Sequence, residues 1–313
     1  MKKSPVDFGM FLQQEMMPWN EYASRVIHAD RAGFHSAWMM DHLYPPGSPA
    51  GPSYEAWIAA TALATQTERI RLGHMVLCNS FRHPALLAKM VTTLDVISKG
   101  RVNVGIGSGS VEQEHKVFGI PFPKVSERTS LLEESVRLLK LFFTQESITF
   151  AGKHFTIQGA SAEPKPLQKP HPPIYVGGGG ERFTLPLVAR HADAWNCNPA
   201  FIAAMEQKIA VLKSECAKAG RDFSSLKLTM LAPVVIVAKR RDLQPALDEA
   251  KKKFGGPGWG MEAARFYGTP DDVIKAIKRF QDKGVTGFML RFTDGGDPRS
   301  LSLFAKEVIP AFT

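Results

Sequence analysis

The segment Ile70–Ser110, IRLGHMVLCNSFRHPALLAKMVTTLDVISKGRVNVGIGSGS, reads as one complete strand–helix–strand unit. Its first run, Ile70–Cys78, is short, apolar and rich in strand-forming residues. Pro84 then stands where a first-turn proline is tolerated, and an amphipathic pattern runs from Pro84 to Ile97. Gly100 follows as a left-handed cap, and Arg101–Gly107 is a second apolar run. A helix between two such runs is the crossover that parallel strands require.

The same alternation extends in both directions. Further strands are expected at Val6–Leu12, His35–Met40, Ile174–Gly177, Ala194–Asn196, Leu226–Val237 and Gly287–Phe292. Helices are expected at Asn20–Ala32, Ser53–Thr65, Glu127–Phe143, Arg182–Arg190, Pro199–Lys218, Leu243–Lys253, Pro270–Lys283 and Ser300–Ile309. Gly33, Gly220 and Gly284 repeat the cap signal, and Thr269 before two acids reads as an N-cap. Eight strands, each followed by a helix, predict an α/β protein of the (β/α)8 TIM-barrel type rather than an open doubly wound sheet. The fourth unit is oversized, and its hairpin-like SITFAGKHFTIQG marks an insertion over about 110–170 within one domain spanning 1–313.

Composition narrows the function classes. The 313 residues are 44% hydrophobic and 22% charged, which excludes disorder and fits a soluble globular chain. The longest apolar run, Ala232–Ala238, falls far short of the ~20 residues of a membrane span, and no secretory pattern follows Met1. Three scattered cysteines without a C-x-x-C spacing suit a reducing, cytoplasmic setting. The net charge of +9 favours an acidic partner, but the basic residues are dispersed, so nucleic acid is not expected.

In such a barrel the reactive groups sit at the C-terminal strand ends. Asp41-His42 follows the second strand and reads either as an acid/base unit or as a cap beside a packed histidine. YVGGGGERF places Gly178, Gly179 and Gly180, with Arg182 near, between a strand and a helix. Consecutive glycines there expose N–H groups to a phosphate, although a tight turn is the plainer alternative. GIGSGS misses the dinucleotide spacing, because Ser110 stands where a third glycine belongs. His74 shares a strand face with Val76 and Cys78, directed into the barrel, and is expected to be a satisfied core residue. No H-E-x-x-H, paired strand-end histidines or G-x-S-x-G is present, so no metal and no serine elbow is predicted.

Taken together, MMDHLYPPG, the 70–110 segment, EHKVFGIPFPKVSERTSLLEES, EPKPLQKPHPPIYVGGGGERFTLPLVARHADAWN and GTPDDVIKAIKRF resemble the bacterial luciferase-like family, and within it the branch using coenzyme F420. The resemblance spans nearly the whole chain. It implies a deazaflavin bound at the strand ends and a non-proline cis peptide at Met75–Val76 behind the ring. It implies cofactor contacts at Asp41, Met75, Val76, Cys78, Ser108, Gly109 and the Gly178–Gly180 loop with Arg182. His42 would handle the proton that accompanies the hydride, with Asp41 orienting it. The sugar-phosphate dehydrogenases of the branch carry a Trp and a Glu where this chain has Pro46 and Ser110, so the acid/base pair for a sugar is incomplete; Glu112 is close in sequence but is not assigned that role. A homodimer and a small organic substrate are implied too. Two other functions stay open: an FMN-dependent monooxygenase fed by a flavin reductase, and a non-catalytic flavin-binding protein.

Overall fold

The structure, a computed structural model, describes residues 5–312. Eight parallel strands close into a barrel: β1 (Asp7–Phe11), β2 (Ser36–Met39), β3 (Arg71–His74, resumed at Leu77–Cys78), β4 (Val102–Gly107), β5 (Ile174–Gly177), β6 (Ala194–Cys197), β7 (Lys227–Ile236) and β8 (Val285–Phe292). Neighbours pair in order, and β8 returns to β1 with Asp7 opposite Gly287 and Met10 opposite Leu290. The predicted TIM barrel is therefore the fold.

Most boundaries lie within a few residues of those expected, and Ile174–Gly177 and Pro84–Ile97 match at both ends. Gly33, Gly100, Gly220 and Gly284 all adopt positive φ after a helix. Thr269 forms a capping box with Asp272. The expected strand Ile70–Cys78 is corrected: it breaks after His74 and resumes at Leu77, with a cis peptide between Met75 and Val76. Against β4 the register advances from Gly73/Asn103 to Leu77/Ile106, so the broken strand carries one extra residue. Gly105 is required opposite the break, because a Cβ there would meet the His74 carbonyl at 1.8 Å. The fourth connection holds two helices, Glu112–Val117 and Val125–Thr144, besides the hairpin of Ile148–Ala151 with Thr156–Ala160; only the longer helix and the hairpin were expected.

The barrel interior is filled by Phe11, Trp38, Met40, Met75, Tyr175, Ala194 and Met289. Trp38 is the largest of these, and the strands on either side make room with Gly9 and Gly73. A Cβ on either would approach the indole to 2.7 or 2.6 Å. The remaining apolar faces form the layer between barrel and outer helices.

Candidate active site

A cleft of about 380 Å³ opens at the C-terminal ends of β2 to β7. Of the residues expected to serve the site, Asp41, His42, Met75, Val76, Cys78, Ser108, Gly109, Gly178, Gly179 and Gly180 all line it. Arg182 does not. It is exposed to solvent, its guanidinium 5.0 Å from the centre of the Phe183 ring. Lys208 lies over the ring of Phe201, which abuts Gly179, and is bonded to Glu181 at 2.7 Å.

Asp41 and His42 stand side by side but work with different partners. The Asp41 carboxylate is buried; it receives both arms of Arg82, at 2.6 and 3.0 Å, and the amide of Cys78 at 2.9 Å. Arg82 spends its other contact on Glu55 at 2.6 Å. Asp41 thus ties β2 to the segment after β3; contrary to expectation, it makes no hydrogen bond that would orient the histidine. That task falls to Glu114, whose Oε2 lies 2.9 Å from His42 Nδ1 while its second oxygen accepts the amide of Leu43. A carboxylate only accepts, so Nδ1 carries the proton and Nε2 is left for exchange with a ligand.

The unexpected helix Glu112–Val117 explains the choice of acid. It turns Glu114 and His115 inward, both nearly fully buried, and leaves Glu112 exposed to solvent. His115 Nδ1 donates to the Val111 carbonyl at 2.9 Å, and Nε2 accepts from the Ser80 hydroxyl at 2.7 Å. Cys78 Sγ lies 3.2 Å from that hydroxyl, and burial pushes its thiol up to about 11. His74 is a core residue but not the fully satisfied one expected, since its buried Nδ1 has no hydrogen-bond partner among the described residues, and it points outward from the barrel rather than inward. Its Nε2 meets the Ala56 carbonyl at 3.2 Å, its ring packs on Trp57, and burial holds its pKa below the ordinary value.

The back wall is Val76, carried on the break in β3. Gly107 and Gly177 lie beside it, and a Cβ on them would come within 2.6 and 2.8 Å of its methyls. Beyond Val76, the Gly178 carbonyl accepts from Trp195 Nε1 at 2.6 Å and its amide donates to Asn196 at 3.2 Å. Among the described residues the amides of Gly179 and Gly180 have no acceptor. A Cβ on Gly179 would strike Phe201 at 2.7 Å, so the loop is both open in its N–H groups and closed to side chains. These features fit a flat ring against Val76 with an anionic tail over the glycines.

Two charged residues beyond the cleft lining were not anticipated. Glu15, after β1, has an Oε2 without a hydrogen-bond partner, and burial raises its pKa. Arg291, on β8, is half-buried among aromatic rings. Their signal in the sequence is only a charge in line with an inward-facing strand residue.

A family model for luciferase-like monooxygenases matches residues 4–254. The F420-dependent glucose-6-phosphate dehydrogenase of Kineococcus radiotolerans is 25% identical, covering 98% of this chain and 97% of its own. An F420-dependent secondary alcohol dehydrogenase, solved with an F420–acetone adduct, superimposes with a TM-score of 0.81 at 23% identity, covering 99% of this chain and 100% of that one. The coenzyme F420-dependent tetrahydromethanopterin reductase of Methanopyrus kandleri gives 0.82 at 21% identity over the same shares. The likeness to the two solved structures is one of fold. With the family model spanning most of its length, the chain belongs to the luciferase-like monooxygenase family and is an oxidoreductase.

Proposed function

We propose that the protein is an F420-dependent oxidoreductase that moves a hydride between the deazaflavin and a small organic substrate. The observation that carries this reading is the pairing, across one cleft, of an open glycine loop with a histidine held by a buried carboxylate. The names of the sequence relatives support the choice of cofactor. The chemistry supplied by the bound deazaflavin is hydride exchange at its C5.

Each residue then has a defined task. Val76 supports the ring from behind, and Ser108 and Gly109 border it where β4 ends. Gly178 holds the loop to β6, while the amides of Gly179 and Gly180 receive the phosphate of the tail. His42 Nε2 takes or returns the proton that accompanies the hydride, and Glu114 steadies the ring of the histidine and the imidazolium it becomes. Asp41 and Arg82 hold the Cys78 segment in place beneath these groups. Holding the ring against the break in β3 and the proton carrier just past the end of β2 would provide the alignment that hydride transfer needs. Ser110 lines the cleft where a sugar-phosphate dehydrogenase of this branch carries an acid, so the substrate is read as something other than a sugar phosphate.

The family model is named for monooxygenases, which favours one second reading: reduced FMN in the same cleft, supplied by a partner reductase. A fluorescence titration with F420 and FMN in parallel, at one salt concentration, separates the two. Tight F420 and weak FMN binding supports the proposal; the reverse order supports the monooxygenase. Uptake of neither overturns both.

A further inference from the structure

Outside the groups given a task above, Arg291 is the charged residue whose surroundings call for a partner. It follows Met289 by two positions on β8, so it shares the inward face and stands one pleat nearer the C-terminal mouth. Met289 is opposite Leu231, which lines the cleft. Three aromatic rings enclose the guanidinium: Trp259 at 4.5 Å, Phe254 at 4.6 Å and Phe11 at 6.0 Å from their centroids. Phe254 and Trp259 meet edge to face at 89°, forming a corner over the mouth from the segment between β7 and β8.

Among the described residues, no carboxylate forms an ion pair with this guanidinium and no acceptor hydrogen-bonds to it. Burial pulls its pKa down to about 10, which leaves it cationic at neutral pH. Aromatic faces hold a guanidinium by its plane, but they do not satisfy its N–H edge. None of its nitrogens is among the buried atoms without a partner, so the N–H edge stays open to water, and a ligand acceptor would take that water's place. The carboxylate whose field reaches it is Glu15, which does not close onto it. Glu15 in turn feels both Arg291 and His42, so the three occupy one region, on the adjacent strands β8, β1 and β2 or just beyond their ends.

We propose that Arg291 is the substrate anchor of this site, taking a carboxylate of the substrate on its free N–H edge while the apolar part of the molecule extends toward His42. This rests on the functional reading above and adds the substrate class, an organic acid with an apolar portion. A planar carboxylate matches the guanidinium fork with two parallel hydrogen bonds. The nearby Glu15 carboxylate disfavours a dianion, which separates a carboxylate from a phosphate monoester.

Calorimetric titration of the full chain with benzoate, benzyl alcohol and phenyl phosphate tests the assignment. Benzoate should bind saturably and at least about tenfold more tightly than the neutral alcohol, the difference expected of charge-assisted hydrogen bonds. Arg291→Gln should lose that preference and leave benzyl alcohol unchanged, whereas Arg291→Lys should keep part of it. The lysine variant also carries the test if the glutamine variant does not fold, as judged by thermal unfolding. Equal benzoate affinity in native and Gln forms overturns the proposal, as does equal affinity for benzoate and benzyl alcohol. Tighter phenyl phosphate, or no saturable benzoate binding, overturns it too. F420 affinity should be unaffected by Arg291→Gln. A native chain that binds benzoate through Arg291 but takes up no F420 would overturn the functional reading and leave the anchor standing.

Discussion

Glu114 Oε2 lies 2.9 Å from His42 Nδ1, across a sequence separation of 72 residues, with the carboxylate only 2% exposed. A single buried acid therefore sets the tautomer of a partly exposed histidine at the cleft. It also pins the Leu43 amide, so ring and backbone are held by one group.

Replacing His42 with Ala should lower turnover by about 10²–10⁴-fold and leave F420 affinity nearly unchanged, because only the proton step is removed. Glu114→Gln preserves shape but presents a donor as well as an acceptor, so the ring can turn over and lose its assigned tautomer. Steady-state kinetics should show kcat falling, with the pH profile displaced, while KM changes little. A His42→Ala protein with native turnover would remove the histidine from the chemistry.

Val76 and Gly107 are matched by shape. A methyl at position 107 would come to 2.6 Å from Val76 Cγ2, inside any real contact. Gly107→Ala should cost about 1–3 kcal/mol by overpacking and weaken cofactor binding as the wall shifts. Val76→Ala in the same chain should recover much of the stability, giving a coupling that single variants do not sum to. Urea unfolding of the four proteins in the cycle measures it; strict additivity would refute the contact.

How far the residues alone foretold this site follows from the range of each interaction. Periodicity and helix punctuation are local, so the barrel and the order of strand ends could be read directly, and Asp41, His42 and the glycine loop with them. The break in β3 was reached by resemblance, since nothing in LGHMVLC distinguishes a continuous strand from a broken one. Strand alternation puts His74 on the wrong side for the same reason: an added residue changes which positions face inward. The six-residue helix Glu112–Val117 is too short for its period to register, so nothing local marks Glu114 as the partner of His42. Arg182, close to the glycines in sequence, is exposed and does not line the cleft. Glu15 and Arg291 come together from opposite ends of the chain, and no local pattern marks such a pair.

The Cys78 thiol is pushed up to about 11 by burial, with Asp41 and Glu114 adding to the effect against a hydrogen bond from Ser80. Cys197, pushed up to about 12, and Cys216 are raised by burial as well. All three should be slow to alkylate at pH 8, and the rate at Cys78 should climb only toward pH 11. Cys78 lines the cleft, so bound F420 should protect it specifically. Peptide mass spectrometry after iodoacetamide reads both effects. Rapid modification of Cys78 at pH 7 would contradict the buried thiol.

Asp30 is a stability group at the opposite end of the barrel. Its carboxylate is 6% exposed and accepts the amides of Glu68, Arg69 and Ile70 at 2.9, 3.1 and 2.7 Å, joining α1 (Trp19–Ala32) to the segment that enters β3. Burial alone would raise its pKa, but the three amides together with Arg69 outweigh it and hold the group below its usual 3.8. Because the folded value is the lower one, the unfolded chain binds the proton more readily. The stabilisation is therefore complete above the unfolded pKa and is lost as pH falls through the folded one. Asp30→Ala should cost about 2–4 kcal/mol at pH 7 by leaving buried amides unpaired. Asp30→Asn should retain part of the stability, and its urea midpoint should fall less than the native one between pH 5 and pH 3. Neither variant should change F420 affinity, since the residue lies far from the cleft. A native and an Asn protein with the same acid dependence would show that other carboxylates govern acid unfolding.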